Sequence, residues 1–204
     1  MSHRIPLVLL IVVLAVLALS AVHPFDWPTW WMEVLPALVG IAVLIPTRHR
    51  FPLTSMLYVL IALHMVLLIV GGHYTYARVP LGNWVRDALD LSRNHYDRLG
   101  HFVQGFVPAM IARELYLRLH VVQRRGWLSF LIVCTCLAIS AVYELIEWTA
   151  AVVMGGGADE FLGTQGDIWD TQKDMALAGL GAITALLLLS RWHDKQLRAF
   201  GEPR

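Results

Sequence analysis

The sequence predicts an all-α, polytopic membrane protein: a single integral membrane domain over residues 1–204, built as a six-transmembrane-helix bundle with both termini cytoplasmic. Three observations lead there. Of the residues, 57% are hydrophobic and only 15% charged, against about a quarter charged in soluble domains, and mean hydropathy is +0.60. The apolar residues cluster in segments long enough to cross a hydrocarbon layer of about 30 Å, which takes roughly 20 helical residues. Arg and Lys collect in alternate connecting segments, as short cytoplasmic loops require. With 16 Lys plus Arg against 15 Asp plus Glu, the net charge of +1 offers no basic field for nucleic acid.

The spans follow in order. The first, 5–22, competes with a cleaved signal peptide, for which Ala18-Leu19-Ser20 is the cleavage candidate; its 18-residue apolar run exceeds the usual signal core and favours a retained helix. The second, 30–46, is short unless Trp27 to Trp31 supply its outer turns. The third, 53–70, carries a lone His64, read as a satisfied core residue. An outer surface segment, 71–98, holds the turn signals Gly71-Gly72 and Pro80-Leu81-Gly82-Asn83, and an amphipathic run from Trp84 to Leu91 expected to form a short surface helix. Tyr74, Tyr76 and Trp84 read as an interfacial belt, or as the lining of a lipid headgroup pocket.

The fourth span, 99–117, is the least apolar, with His101, Gln104, Arg113 and Glu114; the last two lie near its inner end and read as a snorkelling local ion pair. In the fifth, 127–154, Trp127 and Trp148 stand about 31 Å apart along the axis and mark the two interfaces. Cys134 and Cys136 in the same span point about 200° apart, which suits neither a disulfide nor a zinc site. Gly155-Gly156-Gly157 reads as a turn, because no Gly-Lys-Ser/Thr follows. The sixth span is 171–191. Orientation comes from Arg4, Arg48, Arg50, Arg118, Arg124, Arg125, Arg191, Lys195, Arg198 and Arg204, all assigned to the cytoplasmic side. No internal repeat suggests the inverted halves of many transporters.

The chemistry is expected in the last three spans. An ionisable residue in a span costs about 2.5–3.5 kcal/mol on insertion scales, so it normally faces protein and has a partner. Asp97 and His101, four apart, share a helical face with Gln104 and Pro108; Glu144 and Glu147 are three apart; Asp167, Asp170 and Asp174 fall within an arc of about 60°, continued by the small residues Ala178 and Gly181. The three stripes reach the same depth on the outer side. Six carboxylates there repel one another unless protonated or neutralised by a cation. Arg93, Arg98 and Lys173 offset part of this, although the two arginines also read as interfacial anchors. The sharper expectation is a divalent-metal site of Asp97, His101, Glu144, Glu147, Asp170 and Asp174, with His95 and Asp167 at its mouth. Two plainer readings stay open: Asp167 caps the sixth span, and Glu144 with Glu147 pairs with Lys173 or His101 in a structural network.

Three stretches carry a resemblance: Asp97-Arg98-Leu99-Gly100-His101-Phe102-Val103-Gln104-Gly105-Phe106, Tyr143-Glu144-Leu145-Ile146-Glu147-Trp148, and Gly166-Asp167-Ile168-Trp169-Asp170-Thr171-Gln172-Lys173-Asp174-Met175. Together they resemble the YjdF-like family of bacterial inner-membrane proteins, a domain of unknown function. The resemblance implies an inner-membrane location and supplies no reaction. More distantly, the order of Asp-x-x-x-His-Phe, Glu-x-x-Glu and Asp-x-x-x-Asp is similar to VanZ-like membrane proteins, which implies a link to glycopeptide-antibiotic tolerance. Glu147 and Met175 depart from the Gln and Asn common there.

The function expected from the residues is a metal-dependent membrane hydrolase or transferase acting on a lipid or lipid-linked envelope substrate from the periplasmic or outer face. A bound divalent ion would activate water, with Glu147 as general base and Asp167 and His95 as further candidate catalytic groups. The alternatives are a proton- or cation-coupled transporter, against which the lack of visible repeats and of polar residues along the first three spans counts, and a non-catalytic lipid-binding protein.

Overall fold

The computed structural model describes residues 4–154 and 165–201. The Gly155-Gly156-Gly157 turn and Arg204 lie outside the described residues. Seven α-helices are found among them: α1 Arg4–Ser20, α2 Trp27–Thr47, α3 Ser55–Tyr74, α4 Pro80–Ala88, α5 Tyr96–Arg118, α6 Arg125–Met154 and α7 Asp170–Leu197. Four of them, α2, α3, α6 and α7, are long and apolar enough to cross a membrane, and α1 is a shorter apolar helix. α3 is the hub, packing on α1 and α2 to one side and on α5 to the other, while α5, α6 and α7 pack mutually. α5 is the most polar of the long helices and among the most buried, because α3, α6 and α7 shield it. A span screened by protein need not be apolar all round.

Local chemistry sets the ends. Asp26 caps α2, accepting from the Thr29 amide at 2.9 Å and the Thr29 hydroxyl at 2.6 Å, and Pro28 occupies the first turn; this is why α2 starts at Trp27 and gains the outer turns the sequence left open. Thr54 caps α3 through the Leu57 amide. The far end of α3 departs from expectation. Gly71 and Gly72 do not turn the chain; the helix continues through them to Tyr74, and their missing side chains make room for the Tyr76 ring and for Glu33 Cβ. The surface helix also begins a turn earlier than its amphipathic run implied, because Pro80 sits at its first position.

At the end of the bundle where α5 and α7 finish, the snorkelling reading of Arg113 and Glu114 fails. Glu114 is fully buried; its carboxylate accepts from the Thr54 amide and hydroxyl, from His193 Nε2 at 2.9 Å and from Arg118 at 2.8 Å. Arg113 donates to His193 Nδ1 at 3.0 Å and to Asp194 at 2.7 Å. α7 runs past Arg191 to Leu197, and that extension brings His193 and Asp194 to these partners. The result is a clamp tying α3, α5 and α7 together.

Candidate functional site

Backbone contact between α5 and α7 determines the site. Gly105 lies against the Ala178 carbonyl and Gly181 against the Phe102 carbonyl, so closely that a Cβ at either position would overlap a backbone oxygen. On α5 the stripe reads Asp97, His101, Gly105, and on α7 it reads Asp170, Asp174, Ala178, Gly181. Each helix therefore carries ionisable groups and small residues along one face, and close packing of the small part brings the charged parts together. α6 adds a buried stripe at four-residue spacing, Leu128, Ile132, Cys136, Ser140 and Glu144, with the Cys136 thiol donating to the Gly105 carbonyl at 3.5 Å. Cys134 and Cys136 are both free.

Asp97, His101 and Asp174 are all buried, and one ligand atom from each lies within 4.8 Å of the others. Ligands 2.0–2.5 Å from a shared ion stand at most about 4–5 Å apart, so this triad fits a divalent cation. His101 Nδ1 lies 3.1 Å from Gln104 Oε1 and its Nε2 lies 3.5 Å from Asp97 Oδ1, so Nε2 is the ring nitrogen directed at Asp97. Glu144 Oε1 is 3.7 Å from His101 Nδ1 and extends the cluster from α6. Glu144 Oε1 and Asp174 Oδ1 are buried with no hydrogen-bond partner among the described residues. Buried polar atoms are normally satisfied, so the Asp174 carboxylate, beside Asp97 and His101, marks a place where a ligand belongs.

The other expected residues are distributed around this core. Asp170 is buried and bound at 2.6 Å by Arg93, whose guanidinium also stands 3.8 Å from Asp97 and 3.7 Å from Asp167. Arg93 is therefore an internal counter-charge and not an interfacial anchor. Asp167 lies at the rim; it accepts from Arg98 at 2.8 Å, Lys173 at 2.6 Å and the Trp169 amide at 3.1 Å. Lys173 first, then the Trp169 amide and the charge of Arg98, hold its carboxyl below the usual range. His95, on the other side of Arg98 at 3.3 Å, is held below its ordinary value by burial and then by Arg98 and Arg93. Glu147 takes no part in the triad and lines an adjoining cavity.

That cavity, about 200 Å³, is bounded by Glu33, Asp97 and Glu147, by His64, His101 and Gln104, and by the phenols of Tyr76 and Tyr143. Glu33 was missed by sequence reasoning, although a lone acid inside an apolar span was the signal already used for α5 to α7. It is buried, and the Tyr143 hydroxyl donates to it at 3.2 Å. His64 is not a satisfied core residue, since its Nε2 is buried without a partner among the described residues. Tyr76 is buried in the cavity wall, whereas Tyr74 and Trp84 are exposed, so the expected aromatic belt divides. The first three spans thus contribute two ionisable groups to the interior.

A multi-pass helical protein with a buried acid and histidine cluster is the class these features define. The chain matches the family described as predicted membrane protein (DUF2238) over residues 5–195, and it belongs to that family. It is 54% identical over 186 residues to the inner membrane protein YjdF of Escherichia coli strain K12, covering 91% of this chain and 89% of that one. No solved structure matches. The protein is accordingly an integral, multi-pass protein of the inner membrane.

Proposed function

We propose that the chain crosses the membrane six times with both termini cytoplasmic, and that the cluster faces the periplasmic side, where it binds a divalent cation for hydrolysis or group transfer on a lipid or lipid-linked envelope substrate. The six-span reading is supported by α1 and α5, which run alongside the four apolar helices, and the orientation by the distribution of Lys and Arg. Asp97, His101 and Asp174 are the ligands, with Glu144 beside them. The ion would polarise an ester or phosphate oxygen and lower the pKa of a bound water, while Glu147, free of the triad, takes its proton. Arg93 keeps Asp170 engaged and relieves repulsion among the acids.

One observation carries this reading: a triad of two carboxylates and an imidazole, buried together, with an Asp174 oxygen that has no partner among the described residues. Metal analysis of the purified full chain tests it. The wild type should carry close to one equivalent of a divalent metal, and Asp97→Asn, Asp174→Asn and Glu144→Gln should lose it while remaining folded. Metal-free wild-type protein that also fails to take up added ions sinks the proposal.

A proton- or cation-coupled transporter is the second reading, favoured by Glu33 and His64 as further ionisable groups in the cavity. Uptake into proteoliposomes that Asp170→Asn abolishes, without turnover of any lipid, would select it.

A further inference from the structure

A polar chamber and an apolar groove share the same turns of α2 and α6. The chamber is the cavity of about 200 Å³ described above, with three carboxylates and neither Lys nor Arg in its described lining. The groove, about 550 Å³, is bounded by Met32 on α2 and by Val142, Leu145, Ile146, Thr149 and Val153 among the residues of α6. Met32 precedes Glu33, Val142 precedes Tyr143 and Ile146 precedes Glu147, so adjacent residues serve the two spaces. The Tyr143 hydroxyl bond to Glu33 joins the helices at this level.

A ligand matching both halves has an acyl chain and a small cationic head. Charge decides the head: Glu33 and Glu147, which lie outside the metal triad, repel a phosphate or carboxylate group placed between them, and a neutral sugar leaves their charge uncompensated. An ammonium donates three hydrogen bonds to such acceptors and is attracted to the faces of Tyr76 and Tyr143. His64, which lines the chamber, adds a buried Nε2 without a partner among the described residues. Location decides the source. The groove residues are over half exposed at Val142, Leu145, Ile146 and Val153, and in a membrane-spanning helix that surface meets acyl chains.

We propose that this chamber binds the ammonium of an amine-bearing membrane lipid at Glu33, with an acyl chain of the same lipid in the groove between α2 and α6. The inference rests on the lipid-linked reading above and supplies its headgroup. The carboxylates are thereby divided between two cations, the metal at Asp97, His101 and Asp174, and the ammonium at Glu33, with Glu147 left free as the base.

The test is binding of short-chain phosphatidylethanolamine, phosphatidylglycerol of the same chain length, and free ethanolamine to the full chain in detergent, with metal content measured in parallel. The amine lipid should bind about tenfold or more tighter than the glycerol lipid, and free ethanolamine should bind weakly. Glu33→Gln should weaken the amine lipid about tenfold, as expected for losing a charged hydrogen-bond acceptor, with metal content unchanged. Tyr143→Phe, which keeps the ring, should reduce binding by a smaller factor and covers the case in which the Glu33 variant does not fold. Equal binding of the two lipids, ethanolamine binding as tight as the lipid, or unaltered binding in both variants overturns the proposal. A protein that holds metal yet does not discriminate between the lipids defeats this inference alone; one that selects the amine lipid without metal defeats the metal-dependent reading and leaves this one standing.

Discussion

The bundle buries ionisable groups at both ends of α5, and the two clusters obey opposite rules. Around Glu114, donors and acceptors match: Thr54, His193 and Arg118 satisfy the carboxylate, and Arg113 is shared between His193 and Asp194. With Arg113 on Nδ1 and Glu114 on Nε2, both ring nitrogens of His193 have partners and the network closes. Around His101 the acids Asp97, Glu144 and Asp174 outnumber the cations near them, and carboxylate oxygens lack partners among the described residues. A satisfied network holds helices together; an acid-rich, under-satisfied one needs something else to arrive. Burial alone does not distinguish a structural polar cluster from a functional one, whereas completeness of the hydrogen bonding does.

The sharpest way to break this contrast is to remove one member from each cluster. Glu114→Ala leaves Arg118, His193 and the Thr54 amide without their buried acceptor, and should destabilise the fold by about 3–5 kcal/mol, read by unfolding in detergent. Asp174→Asn removes a charge from a group of like charges and should leave metal-free stability unchanged or raised. Equal destabilisation by the two would show that both clusters are structural.

Next in size is the contact on which the acid cluster depends. A methyl group at Gly105 meets the Ala178 carbonyl, which belongs to backbone and cannot turn aside. Gly105→Ala should therefore push α5 from α7, costing about 1–3 kcal/mol and loosening the triad, so that metal content falls with stability. Gly126→Ala in α6, where an added Cβ meets nothing within 4 Å, is the control and should be neutral or mildly stabilising. Loss of metal in Gly105→Ala with stability retained would separate site geometry from packing.

The sequence revealed one cluster far better than the other, for a physical reason. Asp97, His101, Asp170, Asp174 and Glu144 stand on helical faces at three- and four-residue offsets, and small residues continue two of those faces, so their meeting could be read from periodicity. Glu114 meets Thr54 and His193, 60 and 79 residues away, and no offset along a helix reports such partners. Without those partners, the sequence of Arg113 and Glu114 points to an interface instead of an interior. The helix positions followed from the apolar runs, while errors arose where glycine had two uses: Gly71 and Gly72 look like a turn in sequence and serve as a packing notch in the fold. Glu33 needed only the existing rule on acids in spans; lacking a neighbour at helical spacing, it formed no stripe.

The smallest expected effect is at the rim, between the two extremes. Asp167 is well supplied with partners, like Glu114, but beside an open mouth, and its Lys173 partner is about half exposed. Its carboxyl is held low by Lys173, the Trp169 amide and Arg98. A group whose pKa falls on folding contributes stability above its unfolded value, about 4 for Asp, and loses it as pH drops through the folded value. Asp167→Asn should therefore lower stability slightly at pH 7 and flatten the acid limb of the profile, so that mutant and wild-type curves converge below about pH 4. Added salt should shrink the difference, since exposed pairs are screened. A gap between the curves that persists unchanged below that pH would show that Asp167 acts through the Trp169 amide as a helix cap, an interaction that an asparagine side chain can replace in part, rather than through charge.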